Sequence, residues 1–155
     1  MDLAVTNRVR SAQQRHVIDD SSKIGEARRA AQTLASFEFS AEIAGKVTIA
    51  ASELANNLML HAGGGELLLQ TLGEEDHAVV ELLAIDKGPG MADVDRCLAD
   101  GYSTAGTAGT GLGAVRRLAT EFDIHSVPGE GTIVMARFGA HTGARYGAIS
   151  VALEG

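Results

Sequence analysis

The chain of 155 residues carries 13 Lys and Arg against 20 Asp and Glu, a formal net charge of -7, and 45% of its residues are hydrophobic. With one cysteine and enough apolar residues for a core, this composition predicts one globular domain and excludes a disordered chain, a collagen and a small disulfide-stapled protein. The acidic surplus argues against a nucleic-acid partner. No uncharged run approaches the roughly 18 residues of a membrane span, and the polar N-terminus lacks the apolar core of a signal peptide. We therefore expect a cytoplasmic protein.

The first quarter of the chain predicts an edge strand followed by a helix. Residues 1–20 show a weak apolar alternation, which favours the strand, and Ser21 and Ser22 are residues that favour a helix start. Residues 24–34 are rich in Ala, Arg and Glu and are predicted to be helical, with a loop at residues 37–39.

A second, longer helix is predicted from Ser40 to the three glycines at residues 63–65. Ser40 can cap the helix, Glu42 lies in the first turn where an anion is favoured, and the glycines end it. Its apolar residues recur at helical spacing: Ile43, Val47, Ala50, Leu54 and Leu58.

The rest of the chain predicts an antiparallel sheet with helices between its strands. Predicted strands cover residues 66–72, 78–86, 123–127 and 132–138, and predicted helices cover residues 93–99 and 114–121. Because strands and helices do not alternate as βαβ units, we predict an α+β fold. This is a two-layer α/β sandwich with one mixed, largely antiparallel sheet and helices on one face.

A glycine-rich stretch at residues 100–113 is too long for an ordinary loop in a compact domain, which favours a functional role. It is not a P-loop, because no Lys follows Gly111, and it is not a Rossmann fingerprint, because Gly109-Thr110-Gly111-Leu112-Gly113 follows a loop and lacks the G-x-G-x-x-G spacing.

Three sequence features occur together. Glu53 and Asn57 lie four residues apart on one helix face, Asp86-x-Gly88-x-Gly90 follows an apolar strand, and Gly109-x-Gly111-Leu112-Gly113 precedes a helix. In order and spacing they resemble the N, G1 and G2 boxes of the GHKL ATPase superfamily, whose fold is the Bergerat fold, over roughly residues 14–138.

Within that superfamily the chain is most similar to the RsbT-like serine/threonine switch kinases. The resemblance extends to six pieces in register, including His61-Ala62-Gly63, Asp100-Gly101-Tyr102-Ser103-Thr104 and Gly129-Glu130-Gly131-Thr132. One departure is Gly64, which stands where the subgroup commonly has a Lys.

The resemblance implies a site for ATP and Mg²⁺. Asp86 would accept a hydrogen bond from the exocyclic amine of adenine, and Thr132 would contact the base through a water molecule. Asn57 would offer its neutral oxygen to Mg²⁺. Glu53 would face the γ-phosphate as the catalytic base. The remaining nucleotide-binding residues implied are Gly88, Gly90, Ser103, Thr104, Gly109, Thr110, Gly111, Leu112 and Gly113. We expect residues 100–113 to form a mobile lid that the γ-phosphate orders.

The implied function is ATP-dependent phosphorylation of a Ser or Thr on a STAS-type partner in bacterial partner switching. The alternative is a nucleotide-dependent binding module that sequesters a sigma factor or a phosphatase module without catalysis, which would need Asp86 and Asn57 but not Glu53. A sensor histidine kinase is a third, weaker alternative. No zinc site is expected, because the spacing of Cys97 with four of the histidines is not that of zinc ligands: His16, His77, His125 and His141.

The end of the chain is predicted to lie outside the ATP-binding domain. We assign residues 1–139 to that domain and residues 140–155 to a linker and the start of a further domain. Residues 146–153 are predicted to form a strand, and they resemble the opening strand of a metal-dependent phosphatase domain that follows such kinase domains in some bacterial proteins.

Overall fold

The computed structural model describes residues 11–74, 77–99 and 111–139. These residues form five strands and four helices, in the order β1 Gln14–Ile18, α1 Ser22–Glu38, α2 Ala41–Ala62, β2 Gly65–Leu72, β3 Val79–Asp86, α3 Val94–Leu98, α4 Leu112–Leu118, β4 Glu121–Val127 and β5 Gly131–Phe138. The predicted strand at residues 146–153 lies outside the described residues.

The five strands form one sheet in the order β1-β2-β3-β5-β4, and every neighbouring pair is antiparallel. All four helices contribute buried residues to the same apolar cluster as the even-numbered residues of β3 and β5, such as Leu82 and Ala136. The helices therefore cover one face of the sheet. The predicted α+β sandwich is confirmed, with a sheet that is antiparallel between all described strands.

The α2 helix begins and ends as its sequence predicts. The Ser40 hydroxyl accepts a hydrogen bond from the Ile43 N–H at 3.2 Å, and Gly63 ends the helix at φ 72°, a left-handed conformation that glycine adopts without steric cost. Val47, Leu54 and Leu58 of the predicted stripe are buried, at 0 to 3% exposure. This helix packs against α1, α4 and the sheet.

Two helices differ in extent from the sequence prediction. The predicted loop at 37–39 is wrong in part, because α1 continues to Glu38. No Gly or Pro lies between Gly25 and Gly45 to end the helix earlier. The helix predicted for 114–121 instead covers Leu112–Leu118. Its end is decided by β5, since the Thr120 N–H and hydroxyl both donate to the Arg137 carbonyl and draw the chain into β4.

The face of the sheet opposite the helices carries buried charge. Glu81 and Arg137 are each 1% exposed and form an ion pair at 2.7 Å, while Gln70 donates to Glu81 at 2.8 Å. Arg137 also bonds to Glu121 at 3.1 Å. Buried charges are tolerated only when they are paired and hydrogen-bonded, as these are.

Candidate functional site

The site lies at the end of the sheet where β3 ends and β5 begins, beside α2. Asp86 is the last residue of β3 and is the cross-strand partner of Thr132 on β5. After Asp86 the chain turns at once, because its carboxylate accepts the Gly88 N–H at 2.8 Å. Asp86 is half-buried at this point.

Glycines let this turn approach its neighbours. A Cβ at Gly88 would lie 2.9 Å from the Ala62 Cβ on α2, so the loop packs directly against the end of that helix. Gly90, at φ 73°, lies against the Val127 carbonyl, and Gly131 lies against the backbone carbonyl of Asp86. Side chains at these positions would force the loop away from the sheet, which explains the glycine spacing of this segment.

The α2 helix presents Glu53 and Asn57 one turn apart, and both are half-buried. The Asn57 Oδ1 atom is buried and accepts no hydrogen bond from any described residue. An unpartnered buried acceptor is costly and rare in native proteins unless a ligand or water satisfies it. A neutral amide oxygen is also an ordinary ligand for Mg²⁺, so this residue fits the metal that the sequence implies.

The second glycine segment meets the same helix at Glu53. Gly111 caps α4 at φ 77°, and a Cβ added there would collide with the Glu53 carboxylate. Leu112 and Gly113 are buried and hold α4 against α2. Two segments that are 58 residues apart in the chain, at positions 53 and 111, thus come into contact.

The structure brings together most of the residues that the sequence singled out. Along α2 lie Glu53 and Asn57, with Gly111–Gly113 beside the first and Asp86–Gly90 beyond the end of the helix. Thr132 is 5% exposed beside Asp86. Four predicted site residues lie outside the described residues, as does most of the predicted lid at 100–113: Ser103, Thr104, Gly109 and Thr110.

Sequence analysis missed Ser126 of β4. Its hydroxyl accepts the Met91 N–H at 2.7 Å and lies 2.8 Å from the Thr132 hydroxyl. A lone serine in a strand carries no sequence signal that it will link Met91 to Thr132. The link depends on the pairing of β4 with β5 and on where the loop after Asp86 returns to the sheet.

The comparisons agree with this arrangement. The model of the histidine kinase-like ATPase domain family matches residues 18–138. The chain therefore belongs to this family of ATPase domains, and the predicted membership of the GHKL superfamily is confirmed.

One relative by sequence places the chain more narrowly within this family. Serine/threonine-protein kinase RsbT of Bacillus subtilis (strain 168) is 41% identical over 91 residues, which cover 59% of this chain and 68% of that protein. The predicted RsbT-like character is thus confirmed. Among solved structures, the mycobacterial sensor histidine kinase MprB covers 83% of this chain and 99% of its own, at 14% identity and a TM-score of 0.47.

In the part of the chain that the structure describes, no helix has the length and apolar character needed to cross a membrane.

Proposed function

We propose that this chain is an ATP-dependent protein serine/threonine kinase that phosphorylates a STAS-type partner in a bacterial partner-switching pathway. The observation that carries the proposal is the pair on α2. Asn57 presents a buried oxygen without a protein partner, and one turn away Glu53 lies against the glycine segment at Gly111. The similarity to a serine/threonine-protein kinase over most of that protein's length supports the same conclusion.

The base of the nucleotide would be held at the end of the sheet. One oxygen of the Asp86 carboxylate accepts the Gly88 N–H. The other would accept a hydrogen bond from the exocyclic amine of adenine. A carboxylate can only accept hydrogen bonds. It therefore discriminates against guanine, whose carbonyl at the same position would place two acceptors face to face.

The phosphates would lie along α2 towards Gly111. Mg²⁺, held through Asn57 Oδ1, would supply charge neutralisation and orientation for the phosphate oxygens when bound. Glu53 would accept the proton of the partner's Ser or Thr hydroxyl. The oxygen of that hydroxyl would then bond to the γ-phosphorus, while the bond between the γ-phosphorus and the leaving ADP breaks. Gly111, having no side chain, leaves the Glu53 carboxylate its place.

The base site is tested by replacing Asp86. We expect Asp86→Asn to weaken ATP binding by about 10-fold or more, because a hydrogen bond to a charged group is lost at a half-buried position. Calorimetry with ATP and GTP measures the effect. The exposed Asp95 of α3 supplies the matched control Asp95→Asn, which should bind ATP as the parent does. Equal affinity of the parent for ATP and GTP would contradict the assignment.

The contact between Gly111 and Glu53 is tested by two alanine variants. Gly111 and Gly63 have nearly the same backbone, at φ 77° and 72°, but a Cβ at Gly63 would meet nothing within 4 Å. Both Gly111→Ala and Gly63→Ala should lose roughly 1–2 kcal/mol of stability, the cost of a left-handed non-glycine residue. Only Gly111→Ala should also displace Glu53 and slow phosphotransfer at least about 10-fold. Equal phosphotransfer rates in the two variants would show that the contact has no role in catalysis.

The proposed partner is tested by incubating the chain with Mg²⁺, ATP and candidate STAS-domain proteins, followed by mapping of the phosphosite. Phosphorylation of one Ser or Thr on a STAS-domain protein is the expected result. Tight nucleotide-dependent binding of a partner without any phosphorylation would instead support a binding module.

A further inference from the structure

Three polar side chains form a row across the end of the sheet that holds the candidate site. Asp86 on β3 is the cross-strand partner of Thr132 on β5, and Thr132 is in turn the partner of Ser126 on β4. Residues that are directly opposite in neighbouring antiparallel strands point to the same face. The row therefore continues from the proposed base-binding carboxylate to Ser126.

Ser126 connects two parts of the site. Its hydroxyl accepts the Met91 N–H at 2.7 Å, which fixes the end of the loop that follows Asp86. The same oxygen lies 2.8 Å from the Thr132 hydroxyl and 3.4 Å from the Gly131 carbonyl. The Gly129 N–H donates to the Pro89 carbonyl at 2.8 Å and holds the same loop to the turn between β4 and β5.

Either hydroxyl could be the donor of the bond between Ser126 and Thr132, and the neighbouring distances favour Ser126. Each hydroxyl has one proton to give and two lone pairs to receive. If Thr132 donated to Ser126, the Ser126 proton would be left with the Gly131 carbonyl at 3.4 Å, which is long for a hydrogen bond from a hydroxyl. If Ser126 donates to Thr132 at 2.8 Å, both oxygens are well satisfied, and the Thr132 proton is free to be donated to a ligand beside Asp86.

We infer that Ser126 is a positioning residue that turns the Thr132 hydroxyl into a hydrogen-bond donor towards the nucleotide base. An acceptor at Asp86 next to a donor at Thr132 matches a base edge with an N–H beside an acceptor nitrogen, as in adenine. Hypoxanthine and guanine present the reverse order, a carbonyl beside an N–H. The inference deepens the proposed function and rests on it, since it concerns selection among nucleoside triphosphates at that site.

The test is calorimetric binding of ATP and inosine triphosphate, in the presence of Mg²⁺, to the parent chain and to variants. Ser126→Ala leaves Thr132 free to rotate and accept from the N–H of hypoxanthine. The preference for ATP over inosine triphosphate should therefore fall by roughly 5- to 10-fold, which corresponds to one neutral hydrogen bond. Ser126→Thr keeps the hydroxyl and should restore the preference of the parent.

Two further variants keep the result interpretable. Thr120, which precedes β4, also bonds to β5, through its hydroxyl to the Arg137 carbonyl at 2.9 Å, but away from the site. Thr120→Val should leave the preference unchanged. In a Thr132→Val background, adding Ser126→Ala should change the preference no further, because the two hydroxyls act as one unit. This comparison remains available if Ser126→Ala alone proves unstable.

Each result bears on one claim. An unchanged preference in Ser126→Ala, or additive losses in the double variant, would overturn the inference, even in a chain that phosphorylates its partner normally. A reduced preference that Ser126→Thr restores would uphold it, even if no phosphotransfer to any partner were found and the proposed kinase activity failed. A parent chain that binds both nucleotides equally would overturn the inference as well.

Discussion

Replacing Glu53 by alanine is expected to slow phosphotransfer to a partner by about two orders of magnitude or more, the usual contribution of a general base. ATP binding should be retained or become tighter, because a carboxylate near a triphosphate repels it. The two effects separate catalysis from binding. They are measured as the rate of partner phosphorylation under single-turnover conditions and as the calorimetric affinity for ATP.

The structure supplies a matched control for this variant on the same helix. Glu42 lies in the first turn of α2, and its side chain is 80% exposed in a pair with Lys46 at 3.5 Å. Glu42→Ala should leave the phosphotransfer rate and ATP affinity as in the parent. Glu53→Gln, which keeps the shape of the side chain, should be as slow as Glu53→Ala.

Two other outcomes would contradict the assignment of Glu53. If Glu53→Ala phosphorylated as fast as the parent, another group would be the base, or the chain would act as a binding module. If the variant lost ATP affinity and unfolded at a lower temperature, Glu53 would be a structural residue whose main role is its contact with Gly111.

Replacing Arg137 by alanine is expected to lower the free energy of unfolding by about 3–5 kcal/mol, the range seen when one partner of a buried ion pair is removed. The Glu81 carboxylate, 1% exposed, would be left without the guanidinium that bonds to it through Nε and a terminal nitrogen at 2.8 and 2.7 Å. Urea denaturation measures the loss.

The same face of the sheet offers an exposed ion pair for comparison. Arg15 and Glu66 also bond at 2.7 Å, but their side chains are 61% and 36% exposed. Arg15→Ala should therefore cost far less stability than Arg137→Ala. The double variant Arg137→Met with Glu81→Leu should recover most of the loss of Arg137→Ala, because it removes both charges together. An Arg137→Ala chain no less stable than Arg15→Ala would show that the buried pair contributes nothing to the fold.

Much of the site could be predicted from the sequence because it depends on short-range geometry. A helix places residues four apart on one face, so Glu53 and Asn57 are neighbours wherever α2 lies. A carboxylate at a strand end followed by glycines at alternate positions predicts a tight turn, as at Asp86–Gly90. The caps at Ser40 and Gly63 are local too, and both are confirmed.

Contacts between distant segments were decided by the tertiary structure. That Gly111 lies against Glu53, and that Ser126 links Met91 to Thr132, depends on how α4 and β4 pack and pair. The end of α4 at Leu118 was likewise set by β5, overriding the helical tendency of the residues that follow.

Burial separates the two kinds of information most clearly. The alternation of β3 and β5 marks Glu81 and Arg137 as members of the face opposite the helices, where charged residues ordinarily meet solvent. The structure instead buries both to 1% exposure and pairs them. Alternation along a strand assigns a side chain to a face from that strand alone, whereas burial depends on everything packed around the side chain. The sequence therefore determined the face on which these two charges lie. The tertiary structure determined that they are buried and must neutralise each other.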